Sequence, residues 1–305
     1  MGDIVIQTNH IFKEYDHRMV LEDLNMTIEK GDIYGFVGEN GSGKTTVIRL
    51  ISGLIRPNSG SYSLLGVDSN DPMILEARKK MGAIVESPAI YLGMNARDNL
   101  YMQSLILGIK DENRILWALN LVGLGDLYND PKRAENFSLG MRQRLGIAMA
   151  LMSDSEFLVL DEPLNGLDPE GIVEIRNLIL KLNKEYGITF LISSHILSEL
   201  SLVATKYGII SHGHIIEEIT AKELNNRCEK RIIISTTNRD LVRKDLLTIL
   251  PEESIIDVED GLAIPGDTNY SMVVQALQNA PITGITTVSA SVEDYYLSVI
   301  RGGRK

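Results

Sequence analysis

Short apolar runs alternate with stretches of helical spacing between about residues 30 and 210. Apolar runs bounded by turn residues predict buried strands, and apolar residues three or four positions apart predict amphipathic helices. The predicted elements are strands at 32–37, 157–163 and 188–195, helices at 45–53 and 169–187, a helical region at 94–128 and a hairpin at 207–219. This order predicts an α/β domain.

The pattern changes after Thr220. The predicted elements are a strand at 231–236, a helix at 239–250, two short strands around Glu259-Asp260-Gly261, a helix at 270–280, a strand at 282–289 and a final helix at 291–303. The order βαββαβ is compatible with a ferredoxin-like split βαβ unit. We therefore expect two domains, at 1–220 and 221–305, the second a small α+β domain.

Composition and charge exclude several classes of protein. The 305 residues are 44% hydrophobic and 23% charged, which is typical of a globular chain, and the formal net charge is −11. An acidic chain does not suit nucleic acid or an anionic lipid surface, so no nucleic-acid partner is expected. The one cysteine, Cys228, excludes an internal disulfide framework and fits a reducing compartment. The start resembles no signal peptide and no apolar run could cross a bilayer, so another chain would have to supply any channel.

Residues 38–45 read "GENGSGKT" and match the phosphate-binding pattern G-x-x-x-x-G-K-[ST] between a predicted strand and a predicted helix. Glycines let the backbone curl so that its N–H groups face phosphates. Lys44 can reach the β- and γ-phosphates, and Thr45 can offer its hydroxyl to Mg²⁺. The segment predicts a nucleotide site.

Two predicted strands end on residues whose side chains can act as acids, bases or metal ligands. Asp161 and Glu162 follow "FLVL", and His195 follows "ITFLISS". Ligands bind at the carboxyl edge of open α/β sheets, so all three side chains are expected there. Asp161 suits a Mg²⁺ contact, and Glu162 suits a general base or water-orienting group.

Ser138 and Gly140 precede a run in which Met141, Leu145, Ala148 and Met152 share one helical face. A helix start presents unpaired N–H groups and attracts anions. No lysine accompanies this helix start, and Arg142 is the nearest basic residue within the run. An ordinary capped helix is the alternative.

Together these features make the chain resemble the nucleotide-binding subunit of an ATP-binding cassette (ABC) transporter, with a P-loop NTPase fold of the ABC type. The resemblance rests on seven segments between residues 13 and 195, in this order: "KEYD", "GENGSGKTT", "VESPAIY", "NFSLGMRQR", "FLVLDEP", "NGLD" and "ISSH". The family's signature L-S-G-G-Q appears here as Phe137-Ser138-Leu139-Gly140-Met141, with two of five positions matching.

The resemblance implies roles for individual residues. Glu162, His195 and Lys44 would be catalytic, with His195 contacting the γ-phosphate. Thr45, Glu86 and Asp161 would contact Mg²⁺, and the remaining implied ATP contacts are Tyr15, Gly38, Asn40, Gly41, Ser42, Gly43, Thr46, Ser138, Gly140 and Asp168. Tyr15 would stack on adenine; the alternative is a structural tyrosine. Glu86 stands where the family usually has glutamine, and is either a tuned coupling residue or a glutamate turned towards solvent.

The resemblance also implies an activity and partners. The chain would hydrolyse ATP with Mg²⁺ on the cytoplasmic face of the cell membrane and drive a separate integral-membrane permease. It would pair head to tail with an identical or different cassette, so that each signature helix serves the ATP held by the other chain. Glu86, "SPAIY" and the C-terminal domain resemble the subset concerned with bacitracin-like and lantibiotic peptides. The alternative is a non-transport ABC-type ATPase that regulates a soluble partner complex.

Overall fold

The computed structural model describes residues 3–228, 230–258, 260–288 and 291–302. This part of the chain divides into two compact units, one up to residue 221 and the other from 222 to 302. None of the helices within the described ranges has the length and apolar character needed to cross a membrane.

The first unit contains a six-stranded sheet that carries the candidate chemistry. Its strands in spatial order are β11 (His214–Thr220), β10 (Lys206–Ser211), β4 (Ile33–Val37), β9 (Thr189–Ser194), β8 (Phe157–Leu160) and β7 (Met81–Ile84). All neighbours are parallel except β10 and β11, which form the predicted hairpin through His212-Gly213. Strands β4, β8 and β9 are buried at every position, as expected of parallel strands covered on both faces.

The first unit also contains a second, antiparallel sheet, whose strands come from the chain segments before and after β4. It contains β2 (Arg18–Leu24), β1 (Ile4–Tyr15), β5 (Ser59–Leu64) and β6 (Val67–Asp68), with β3 (Thr27–Glu29) also paired to β1. The sequence pattern predicted nothing for residues 4–29. Register shifts interrupt the pairing of β1 with β2, and the connecting turn uses Asp16 and His17 at positive φ instead of the usual glycine or asparagine.

The helices of the first unit agree with the apolar spacing. They are α1 (Lys44–Ile51), α2 (Ile74–Lys79), α3 (Ala96–Leu107), α4 (Asn113–Leu121), α5 (Leu139–Leu151), α6 (Pro169–Tyr186) and α7 (Leu197–Leu200), and α8 (Ala221–Cys228) begins at the unit boundary. The region predicted at 94–128 is divided because Gly108 ends α3 in the left-handed conformation. A short 3₁₀ turn, Gly125–Tyr128, follows α4.

The second unit has the predicted ferredoxin-like order. Its antiparallel sheet runs β13 (Ile256–Val258), β14 (Gly261–Pro265), β12 (Arg231–Thr236) and β15 (Ile282–Val288), and its helices are α9 (Arg239–Leu246), α10 (Tyr270–Ala276) and α11 (Val292–Gly302). The predicted helix 239–250 was too long, because tight turns replace helix between Leu246 and Pro251. Glu259, Ser289 and Gly303, which belong to the predicted turn, strand and final helix, lie outside the described residues.

Candidate active site

The segment 38–45 joins β4 to α1 and curls around the Lys44 side chain. Gly41 and Gly43 have φ of 82° and 112°, a region that favours glycine. A Cβ on Gly43 would lie 2.7 Å from Leu21 Cδ2, so space also requires glycine there. Lys44 Nζ donates to the carbonyl oxygens of Gly38 at 2.7 Å and Glu39 at 3.2 Å. The ammonium is thereby held against the backbone of the loop.

Glu162 lies at the centre of the site, at the carboxyl edge of the sheet, as the sequence predicted for it and His195. His195 Nδ1 lies 2.6 Å from Glu162 Oε2, and Lys44 Nζ lies 3.6 Å from Glu162 Oε1. Burial lowers the pKa of Lys44, and the negative charges of Glu162 and Asp161 act in the opposite direction. The structure therefore brings the three predicted catalytic side chains into contact.

A cleft of about 300 Å³ opens over these side chains. Its lining consists of Val20, Asn40, Gly41, Gly43, Lys44, Thr45, Thr46, Glu162, Asn165 and His195. Eight of these were predicted site residues; Val20 and Asn165 were not. Asn165 belongs to the quoted "NGLD" segment and could have been named from it, whereas nothing in the local sequence marks Val20.

Asp161 directly follows β8 and is 3% exposed. Its Oδ1 accepts a hydrogen bond of 2.6 Å from Ser193 Oγ, a contact that sequence reasoning missed. Among the described residues no group of three or more His, Cys, Asp or Glu side chains forms a metal cluster. The hydroxyl of Thr45 and the carboxylate of Asp161 nevertheless fit Mg²⁺, which takes hard oxygen ligands and usually only one or two carboxylates beside phosphate oxygens.

Two residues of the phosphate-binding loop, Gly38 and Ser42, pack against each other rather than line the cleft. A Cβ on Gly38 would lie 2.5 Å from Ser42 Oγ. The Ser42 hydroxyl is buried and has no hydrogen-bond partner among the described residues. A buried, unpartnered donor is costly, which fits a loop shaped for a ligand.

Tyr15 and Glu86 lie outside the lining of the cleft. Tyr15 ends β1 with 39% of its surface exposed, and Lys13 Nζ lies 5.0 Å from the centre of its ring. Glu86 follows β7 at a φ of 63°, and its carboxylate forms an ion pair with Arg49 of α1. The predicted adenine and Mg²⁺ contacts of these residues stay predictions.

Ser138, Gly140 and Asp168 form a second group at the starts of α5 and α6. Ser138 Oγ accepts from the N–H of Met141 at 3.2 Å, and Asp168 Oδ1 accepts from the N–H of Gly171 at 3.2 Å, so both residues cap their helices. A Cβ on Gly140 would lie 3.8 Å from Gly171 Cα, which shows that the two helix starts are close. None of the three lines the cleft that contains Lys44.

Known proteins are similar in sequence to this chain. A family model described as ABC transporter matches residues 21–165. The chain is 40% identical to the bacitracin transport ATP-binding protein BcrA of Bacillus licheniformis over 308 aligned residues that cover 98% of each protein. It is 41% identical to the lantibiotic transport ATP-binding protein SrtF of Streptococcus pyogenes over 214 residues, or 70% of this chain and 90% of that protein.

The fold is also found among solved structures. The structure of cbiO1 from Clostridium perfringens, described as part of the ABC transporter complex cbiONQ, aligns with a TM-score of 0.66 at 25% identity. The alignment covers 81% of this chain and 96% of that chain. The predicted fold class is thereby confirmed.

Proposed function

Because this chain belongs to the ABC transporter family as an ATP-binding subunit that hydrolyses ATP, we propose that it drives a separate integral-membrane permease in the export of a peptide antibiotic. The two relatives named above are transport ATP-binding proteins for bacitracin and for a lantibiotic. In this proposal the chain binds the permease at the cytoplasmic face of the cell membrane. The ATPase domain spans 1–220, and 221–305 is an accessory α+β domain.

One observation carries the catalytic part of the proposal: the Glu162 carboxylate lies between His195 and Lys44 beneath an open cleft. Glu162 accepts the proton of the attacking water, and His195 holds one oxygen of that carboxylate in place. Lys44 and the N–H groups of residues 38–45 stabilise the negative charge on the phosphates. Thr45 and Asp161 would hold Mg²⁺, which would further neutralise the charge of the phosphates. We propose that Glu86, which pairs with Arg49 and does not line the cleft, serves coupling with the permease.

Among the described residues that line the cleft, only Lys44, Thr45 and Thr46 belong to the start of a helix, which is α1. We propose that the start of α5 from a second cassette, with its Ser138 and Gly140, closes the cleft over the γ-phosphate. The helix start suits an anion but has no lysine of its own, and it does not line the cleft of its own chain. Asp168, close to it at the start of α6, would lie at the same contact between the two cassettes.

Antibiotic tolerance tests the transport proposal. Cells that lack the chain are complemented with the wild type, Glu162→Gln or the control Glu156→Gln, and tolerance to bacitracin and to a lantibiotic is measured. Glu156 is the matched control, since it precedes β8 and pairs with Lys80 on the surface. We expect the wild type and the control to restore tolerance. Glu162→Gln should not, because loss of a positioned base slows hydrolysis by about 10²- to 10⁴-fold.

Three results would count against this proposal. Unchanged tolerance in cells without the chain would exclude both peptide classes as cargo. Full restoration by Glu162→Gln would show that export does not need hydrolysis at this site. A soluble complex in place of a membrane protein, copurifying with the tagged chain from detergent extracts, would favour the non-transport alternative.

A further inference from the structure

Ser193 is a buried serine of β9, one residue before the strand ends, and it bonds to both carboxylate residues of the site. It has no exposed surface. Its Oγ donates to Asp161 Oδ1 at 2.6 Å and accepts from the backbone N–H of Glu162 at 2.9 Å. One hydroxyl therefore uses both its donor and an acceptor lone pair on two consecutive residues of the neighbouring strand end.

The backbone of Glu162 needs such a contact. Its φ is 50°, in the left-handed region that residues with a side chain seldom adopt. Such a conformation persists only where the surroundings hold it. The hydrogen bond from its N–H to Ser193 holds the backbone from which the Glu162 carboxylate reaches His195 and Lys44.

The Asp161 carboxylate needs the same contact for a different reason. At 3% exposure it has little access to water, and burial of a polar group is costly unless the group is hydrogen-bonded. Ser193 supplies a short hydrogen bond to one oxygen. The donor also fixes the rotation of the carboxylate, and with it the direction of the second oxygen.

We propose that Ser193 is a positioning residue for ATP hydrolysis: its hydroxyl sets the Asp161 carboxylate and the left-handed Glu162 backbone in one arrangement. The inference rests on the roles proposed above for Asp161 and Glu162. It assigns Ser193 no contact with ATP, so its loss should lower turnover and raise the Mg²⁺ concentration needed for half-maximal activity but leave ATP binding largely unchanged.

The test compares two buried hydroxyls of the same strand in the purified full-length chain. Thr189 begins β9, has no exposed surface, and accepts from the N–H of Gly31 at 3.0 Å at the end of the sheet away from the cleft. Ser193→Ala should lower kcat about 10- to 100-fold, the usual cost of a misplaced catalytic group. The KM for ATP should stay within about threefold, and the half-saturating Mg²⁺ concentration should rise. Thr189→Val should leave all three values near wild type.

Two further variants keep either the hydroxyl or the approximate size of the Ser193 side chain. Ser193→Thr retains the donor and acceptor and should recover most of kcat. Should Ser193→Ala not fold, judged by thermal unfolding, Ser193→Cys replaces it with the same expected losses, since a thiol is a weak donor. ATP binding without Mg²⁺, measured by titration, should match wild type in every folded variant.

The inference is overturned if Ser193→Ala keeps wild-type kcat and Mg²⁺ dependence, or if Thr189→Val loses as much as Ser193→Ala. Either result would reduce Ser193 to an ordinary buried strand residue. Glu162→Gln, assayed in parallel, distinguishes a failure of the positioning role of Ser193 from a failure of the proposed function. Inactive Glu162→Gln with active Ser193→Ala rejects the positioning role alone, whereas active Glu162→Gln rejects the catalytic assignment itself.

Discussion

At the scale of single residues, the chemistry of the site depends on how charges are paired. Lys44 is buried, yet two backbone carbonyls and the Glu162 carboxylate satisfy its ammonium group. Glu86 lies where the resemblance implies glutamine, and its charge is taken up by Arg49. The ion pair therefore offsets part of the negative charge that a carboxylate brings to that position.

The Tyr15 ring is predicted to contribute to ATP binding. If its exposed ring stacks on adenine, Tyr15→Ala should weaken ATP binding by about 1–3 kcal/mol, because base stacking on an aromatic ring is worth that much. Tyr15→Trp should largely preserve binding. Equilibrium titration with ATP measures both.

The control for this prediction is Tyr186→Ala. Tyr186 is 46% exposed and ends α6, and its ring packs near Trp117 instead of the cleft. Its removal should leave ATP affinity unchanged. Equal affinities for wild type, Tyr15→Ala and Tyr15→Trp would mean that Tyr15 is a structural residue.

At the scale of elements, the sequence predicted those parts that depend on local pattern. Strands β4, β8 and β9 are short apolar runs followed by residues with chemistry, so the carboxyl edge of the sheet could be located in advance. The βαββαβ order of the second unit followed from the same periodicity. The antiparallel strands before residue 30 could not be predicted, because bulges and non-glycine residues at positive φ hide their pattern.

The unpredicted contacts of the site have a different cause. Ser193 bonds to Asp161 and Glu162 across 31 or 32 residues of sequence, and Val20 reaches the cleft from the antiparallel sheet. Such contacts depend on which strands become neighbours, and no local pattern encodes them. The ion pair between Glu86 and Arg49 likewise depends on how β7 and α1 lie relative to each other in the fold, so local sequence could not predict it.

Helix α5 gives the element-scale prediction through its two glycines. A Cβ on Gly146 would lie 2.6 Å from Pro88 Cβ and 3.3 Å from Ile84 Cδ1, whereas a Cβ on Gly140 meets nothing closer than 3.8 Å. Gly146→Ala should therefore lower the free energy of unfolding by about 1–3 kcal/mol through overpacking. Gly140→Ala should be neutral or stabilising by up to about 1 kcal/mol, as alanine favours helix.

Urea denaturation of the two variants measures their free energies of unfolding. Both place one methyl group on the same helix, so their difference isolates the close approach of α5 to the segment after β7. If Gly146→Ala proves as stable as Gly140→Ala, that close packing is not needed for stability.

At the scale of the whole molecule, we propose that the chain hydrolyses ATP in a cleft completed by a second cassette. The cleft supplies Lys44, Glu162 and His195, and the start of α5 with Ser138 lies outside its lining. A pair of identical chains would then contain two composite sites, each with the loop of one chain and the α5 start of the other. Damage to the loop and damage to the helix start should complement between chains.

The most direct measurement mixes Lys44→Ala with Ser138→Arg and follows ATP hydrolysis across mixing ratios, with subunit exchange confirmed separately. In the mixed pair one site carries both lesions and the other carries neither, whereas each variant alone has no intact site. We predict that the mixture turns over ATP faster than either parent, with a maximum near equal proportions. Activity that never exceeds the parents at any ratio would contradict the composite site, because it would mean that each chain uses its own α5 start.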